Sequence, residues 1–488
     1  MYRPSLVEAK ELSEGYTVVP VSLEILSDIK TPIAVLKNIK AISSRYYLLE
    51  SVENGEKWGR YSFLGFNPVV QLKCKDGRLH IQGSVNLNAE TSDPNAYIRN
   101  ILKEYKSPRL EFLPPFTGGF VGYFAYDYIK YSEPVLKLDG IDEAKFNDVD
   151  LMLFDKIIAF DHFRQKIILI VNINTRNLEE NYKAALRELE GMAALIKAST
   201  EAPSLPSRLL SPLTPVFCRE EYCEIVNKVK SYIHEGDIFQ AVPSNRRTAR
   251  FEGSLFDTYR ILRTTNPSPY MFFLKFDDLE LAGTSPETLI RLESGTLSTF
   301  PIAGTKPRGK CDSEDEQIIQ ELLQDEKELS EHNMLVDLGR NDLGRISQFG
   351  TVEVREHLSI RKFSHVIHIE SRVTGKLRQD LDQLDAISAL LPAGTLSGAP
   401  KIRACQIIHE VEGLRRGIYG GAIGYIDFAG NMDTCIAIRL VILKDNTVYV
   451  QTGGGVVADS VPEAEFIETE NKAQAVINAL ELSGKELD

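Results

Sequence analysis

"GGAIGYIDFAGNMDTCIAIRLVILKDNTVYVQTGGGVV", residues 420–457, is apolar for most of its length and is cut by short polar turns at Gly430-Asn431 and Asp445-Asn446. β-Branched and aromatic residues fit a pleated, half-buried surface, and Gly, Asn and Asp mark the reversals. The stretch reads as a meander of three strands. The same hairpin grammar recurs upstream. "VVQLKCKDGRLHIQG" (69–83) alternates on either side of Asp76-Gly77, a strong hairpin signal. "LMLFDKIIAFDHFRQKIILIVNI" (151–173) reads as two long strands, and "LAGTSPETLIRLESGTLSTFPIAG" (281–304) turns at Ser294-Gly295. Strands that arrive in hairpins, without intervening helices, exclude a βαβ sheet and predict an α+β protein with large antiparallel sheets.

Helices flank these runs. Residues 177–199 place Tyr182, Leu186, Leu189 and Met192 on one face, and 219–235 place Tyr222, Ile225, Val229 and Ile233 on another, with Gly236 as the stop. A charged helical segment is expected over 313–339 and a closing helix over 462–482. The Pro- and Ser-rich "TEAPSLPSRLLSPLTP" (200–215) reads as a linker between an N-terminal region, 1–199, and a second region, 216–488.

The 488 residues carry a net charge of −13, which argues against nonspecific binding to nucleic acid or anionic membrane. No apolar run is long enough to span a bilayer, and the N-terminus lacks the apolar core of a secretory signal. Six scattered cysteines suit reduced thiols in a cytoplasmic protein.

Several residues stand out chemically. Glu465 and Glu468 are three apart on the closing helix and share a face. Glu331 lies in register with Leu335 and Leu338, which turns it inward, and carboxylates from two helices suit Mg²⁺. Arg439 interrupts an apolar strand, so it needs a partner: a structural ion pair, or a carboxylate gripped in bidentate fashion. Gly453, Gly454 and Gly455 are either a flexible strand end or a cradle of N–H groups for an anion. No G-x-x-x-x-G-K-[ST] or G-x-G-x-x-G pattern points to a nucleotide. Glu287, after Pro286, is either an incidental turn carboxylate or, if buried, a general acid. His365 and His368 read as a metal pair or, with no third ligand in register, as core histidines.

Eight ordered motifs then become recognisable: GDIFQAVPS, NPSPYMFF, GTSPETLI, PIAGTKPRG, ELSEHNMLVDLGRNDLGRI, PAGTLSGAPK, YGGAIGYIDFAGNMDTCIAIR and QTGGGVVADSVPEAEFIETENKA. With "LLESVENGEKWGRYSFLGFNP" (48–68), they resemble the chorismate-utilising enzymes along almost the whole chain, most closely the anthranilate-forming members. The resemblance implies two facing antiparallel β-sheets flanked by helices, with chorismate bound between them. Mg²⁺ would be held by Glu331 and Glu468. Tyr419, Arg439 and the N–H groups of Gly453, Gly454 and Gly455 would hold the enolpyruvyl carboxylate, and Gly304 and Thr305 would line the substrate. Glu287 would protonate the departing hydroxyl, His368 would assist pyruvate loss, and Gln240 and Thr395 complete the catalytic set. Glu50, Ser51, Pro269, Tyr270 and Met271 match the family's site for L-tryptophan as feedback inhibitor.

Two positions place the chain within that family. Members that add water carry a lysine at the position of Gln240, and an amide cannot act as a base near neutral pH. Aminodeoxychorismate synthases typically carry a lysine at the position of Ala303, and a methyl group cannot attack the ring. The expectation is direct amination of chorismate to anthranilate, with aminodeoxychorismate synthesis, or a non-catalytic tryptophan-binding subunit, as the alternatives. No Cys-His-Glu arrangement of a glutamine amidotransferase is present, so ammonia is expected from a separate glutaminase subunit.

Overall fold

The computed structural model describes residues 2–51, 59–84, 86–198, 207–362 and 366–485. Two large sheets organise it, one of thirteen strands and one of twelve. Neighbouring strands run antiparallel, and helices cover the outer faces, as the α+β expectation requires. Alternation along the strands divides the core. Ile157 and Ala159 face the space between the sheets, while Ile158 and Phe160 face the helices. Phe272 and Leu274 point inward on the same principle, and Phe273 packs outward against Tyr259 of helix Phe256–Thr265.

Both sheets draw strands from 1–199 and from 216–488. Strand Tyr46–Glu50 pairs with Tyr270–Lys275 in the first sheet, and Gly119–Phe124 pairs with Ala422–Asp427 in the second. Within 200–215, Arg208–Leu209 and Thr214–Pro215 add short pairings to the edge strand Ser244–Glu252.

Three expectations are corrected. The 420–457 stretch holds four strands: Ala422–Asp427 and Met432–Ile436 lie in the second sheet, and Leu440–Lys444 and Thr447–Gly453 in the first. The chain crosses between sheets at Ala437-Ile438-Arg439, with Arg439 in the left-handed region (φ 52°). Residues 151–173 likewise hold parts of three strands, with the crossing at Asp155 between Val149–Phe154 and Lys156–Asp161. The charged segment is two helices, Asp312–Leu322 and Glu326–Gly344, the second capped by Asp325, whose carboxylate accepts from the N–H groups of Lys327 and Glu328. The hairpin turns at Asp76-Gly77 and Ser294-Gly295 are where they were expected, all four residues at positive φ. No helix among the described residues is long and apolar enough to cross a membrane, and all six cysteines are free.

Candidate active site

A third crossing, at Pro286-Glu287, joins strand Leu279–Ser285 of the first sheet to Thr288–Glu293 of the second. It lies beside the Arg439 crossing. The Ile436 N–H donates to the Glu287 carbonyl at 2.9 Å, and the Thr284 N–H donates to the Arg439 carbonyl at 3.1 Å. Two candidate side chains thus sit at neighbouring chain crossings, where neither sheet continues and a cleft opens.

Glu287 lines a cavity with Thr395 and Ile436. The Thr395 hydroxyl, on the short helical turn Gly394–Leu396, donates to Glu287 Oε1 at 2.8 Å. Burial outweighs that bond and pushes the Glu287 carboxyl up to about 7. Such a group holds a proton through much of the neutral range, as a general acid must. His368, on strand Val366–Lys376, is pushed the other way, to about 4, by burial and then by the Arg439 guanidinium. It is neutral wherever Glu287 is half-protonated.

Arg439 Nη1 donates to the Lys472 carbonyl at 2.9 Å. Burial lowers the pKa of this guanidinium, and the nearby Tyr419 and Glu468 partly offset that effect. Each glycine of 453–455 lies where a side chain would crowd another candidate. A β-carbon on Gly453 would stand 3.1 Å from the Tyr419 hydroxyl, on Gly454 2.9 Å from Glu465 Oε2, and on Gly455 2.6 Å from Gln240 Nε2. The Gly454 N–H donates to the Pro243 carbonyl at 3.3 Å. Gln240 is buried, and its Oε1 has no hydrogen-bond partner among the described residues. Gly304 takes positive φ (65°) at a bulge in strand Ile302–Pro307, between Ala303, opposite Ile369, and Thr305, opposite His368. The side chain of Thr305 lies outside the described residues, as does all of His365.

Glu331 and Glu468 approach each other from helices Glu326–Gly344 and Pro462–Ser483. Glu331 does not enter the core as its register with Leu335 implied; its side chain keeps solvent access. Packing around the carboxyl, with the charges of Glu328 and Glu468, still raises its pKa. Burial and Glu468 raise Glu465, whose Oε2 has no partner. Among the described residues no three His, Cys, Asp or Glu side chains form a ready-made metal cage. Cations stand beside the cluster: the Lys472 ammonium pairs with Glu468 and donates to the Gly453 carbonyl at 3.1 Å, and the charge of Lys327 acts on Glu331 and Glu465. Lys472 and Glu328 were missed in the sequence. Spacing held the signal, since Lys472 lies four residues after Glu468, and Glu328 three before Glu331.

The protein resembles known structures and sequences over nearly its whole length. The crystal structure of anthranilate synthase component I from Streptococcus pneumoniae superposes with a TM-score of 0.76 at 37% identity, covering 93% of this chain and 98% of that one. Anthranilate synthase component 1 of Acetivibrio thermocellus is 44% identical across 99% of this chain and 100% of the relative, and that of Aquifex aeolicus is 44% identical across 98% of each. The menaquinone-specific isochorismate synthase of Escherichia coli shares the fold, with a TM-score of 0.70 at 18% identity. Residues 45–478 match the chorismate binding enzyme family. The chain belongs to that family.

A second cavity of this chorismate-binding enzyme, about 730 Å³ counting its open mouth, is lined by Glu50, Ser51, Pro269, Tyr270 and Met271, the five residues expected to hold tryptophan. Phe63 and Tyr425 add aromatic walls, and Arg291 and Asp433 add charge that was not anticipated. The Glu50 carboxylate is already engaged. It accepts from Arg263 Nε at 2.9 Å, Arg263 Nη2 at 2.8 Å and the Tyr259 hydroxyl at 2.6 Å.

Proposed function

We propose that this protein is the chorismate-binding subunit of an anthranilate synthase, converting chorismate and ammonia to anthranilate and pyruvate. The observation that carries the reading is a proton-holding Glu287 bonded by Thr395, together with a buried, non-basic Gln240 beside Gly455. The near-full-length relatives named anthranilate synthase component 1 support it.

Chorismate is a dianion and this protein is net negative, so binding must come from local charge. Arg439, with the Tyr419 hydroxyl, would take the enolpyruvyl carboxylate. The donors beside it are hard carboxylate oxygens from two helices; burial and the charge of Glu468 raise the pKa of both Glu331 and Glu465, and one Glu465 oxygen is orphaned. That set fits Mg²⁺, held by Glu331 and Glu468 with the substrate's ring carboxylate and water completing the shell. When bound, the ion would draw electron density from the ring and ease departure of the hydroxyl.

Glu287 would give its proton to the C4 hydroxyl, which leaves as water while ammonia attacks C2, and the ammonium so formed would return a proton to Glu287. Ammonia is already a nucleophile and requires no base at Gln240. Neutral His368 would then accept the C2 proton as the ring C–O bond breaks, and that proton would go to the departing enolpyruvate, giving pyruvate and the aromatic anthranilate. Relatives named component 1 support a second component as the source of ammonia, here a separate glutamine amidotransferase. Free thiols and biosynthetic chemistry support a cytoplasmic setting. The five lining residues of the second cavity support L-tryptophan as its ligand and feedback inhibitor.

The test separates amination from hydration. With chorismate and Mg²⁺, omission of ammonium should leave chorismate unconsumed, and addition should restore turnover. Ammonium-independent formation of isochorismate would sink the reading.

A further inference from the structure

The two cavities lie back to back on strand Met432–Ile436. Asp433 and Cys435 line the tryptophan cavity, and Ile436 lines the cavity that holds Glu287 and Thr395. One side chain joins them. Tyr270 lines the tryptophan cavity, and its hydroxyl donates to Asp433 Oδ1 at 2.8 Å and bonds the Thr288 hydroxyl at 2.9 Å. Thr288 directly follows Glu287 and lines the acid's cavity but not the tryptophan cavity. Next along the strand, the Ser285 hydroxyl donates to the Ile436 carbonyl at 2.7 Å, and Ala437 and Ile438 then lead into Arg439.

We propose that the Tyr270 hydroxyl is the relay for feedback: tryptophan in the outer cavity is sensed at Asp433 and passed through Tyr270 and Thr288 to the crossings that carry Glu287 and Arg439. This rests on the tryptophan reading of that cavity. The physical reason lies in which acceptors are available. Glu50 is consumed by Arg263 and Tyr259, whereas Asp433 is bonded to Tyr270, with Arg291 Nε 4.0 Å away. The ammonium of an amino acid entering the cavity draws on Asp433. A phenol hydroxyl held between two partners shifts toward the one that remains when the other is drawn away. That other partner is Thr288, one peptide from the general acid. A ligand shifts an equilibrium only through contacts that differ between two states, and this bond is such a contact.

Tyr270→Phe keeps the ring and removes the hydroxyl. Thr288→Val breaks the same bond from a residue outside the tryptophan cavity. Tryptophan affinity is measured by calorimetry, and inhibition by the ammonium-dependent rate, each variant normalised to its own uninhibited rate. At tryptophan about tenfold above the measured Kd, wild-type protein should keep under about a tenth of its rate and both variants more than about half, with affinity changed less than about fivefold. If both variants bind and are inhibited as the wild type is, the relay is wrong. If Thr288→Val is fully inhibited while Tyr270→Phe loses binding and inhibition in parallel, Tyr270 is only part of the binding wall and the relay is again wrong. If the wild type itself gives no binding heat, the tryptophan reading has failed, which the calorimetry shows before any variant is compared.

Discussion

Thr395→Val should move the alkaline limb of activity to higher pH. The Thr395 hydroxyl donates to Glu287 Oε1 at 2.8 Å and so stabilises the charged carboxylate, working against the burial that raises the group to about 7. Valine keeps the shape and removes the donor, so the carboxyl should hold its proton more tightly. A hydrogen bond that favours one protonation state by about 1.4 kcal/mol is worth about one pH unit. For an acid that must be protonated, the wild-type rate should fall about fivefold between about pH 7 and about pH 8, as the protonated fraction drops from about a half to about a tenth. In Thr395→Val the same fall should occur between about pH 8 and about pH 9. The quantity to plot is kcat/KM for chorismate, which reports groups of the free protein. Free ammonia, not total ammonium, must be held constant, because ammonia's own titration runs in the opposite direction. A limb that stays in place, or moves to lower pH, refutes the assignment of Glu287 as the acid and of Thr395 as its partner.

Three further outcomes follow from the geometry. Glu468→Gln removes a carboxylate whose charge helps raise Glu331 and which pairs with Lys472; Mn²⁺ titrated as a probe by electron paramagnetic resonance should bind at least about tenfold more weakly, and unchanged affinity would remove Glu468 from the metal set. Gly455→Ala would set a methyl group 2.6 Å from Gln240 Nε2; kcat/KM should drop at least about tenfold with thermal stability shifted by only a few degrees, since off-rotamer strain costs about 1 kcal/mol, and wild-type kinetics would show that the side chains there are not tightly placed. Ser51→Phe should fill the cavity lined by Glu50 and Tyr270 and abolish the calorimetric signal for tryptophan while uninhibited turnover persists; binding as in the wild type would put tryptophan elsewhere.

Hairpins and helices were legible because local rules decide them: Asp76-Gly77 supplies two residues at positive φ, and the stripe from Tyr222 to Val229 is buried as its spacing requires. The crossings were not. Where both faces of a strand are buried, an apolar run reads the same whether it stays in one sheet or changes to the other, so Asp155 and Ala437-Ile438-Arg439 looked like strand interior. That blind spot hid the architectural reason for the site, since Glu287 and Arg439 occupy such crossings. Their residue types drew notice, but their roles came from motif resemblance, because burial and the neighbour that sets a pKa are tertiary facts. Glu331 was judged by helical register alone, which cannot tell a core-facing side chain from one facing a second helix across a cleft. Asp433 went unnoticed because one polar residue on a strand looks solvent-facing until the opposite sheet is in place.

The proposed reaction is amination at C2 followed by loss of pyruvate, with Ala303 and Gln240 leaving the ring to ammonia. The most direct test is ¹⁵N-labelled ammonium with chorismate and Mg²⁺, followed by NMR of the reaction mixture. The expected products are ¹⁵N-anthranilate, the amino group ortho to the carboxylate, and pyruvate in equal amount. Label accumulating in 4-amino-4-deoxychorismate, with no pyruvate released, would contradict it.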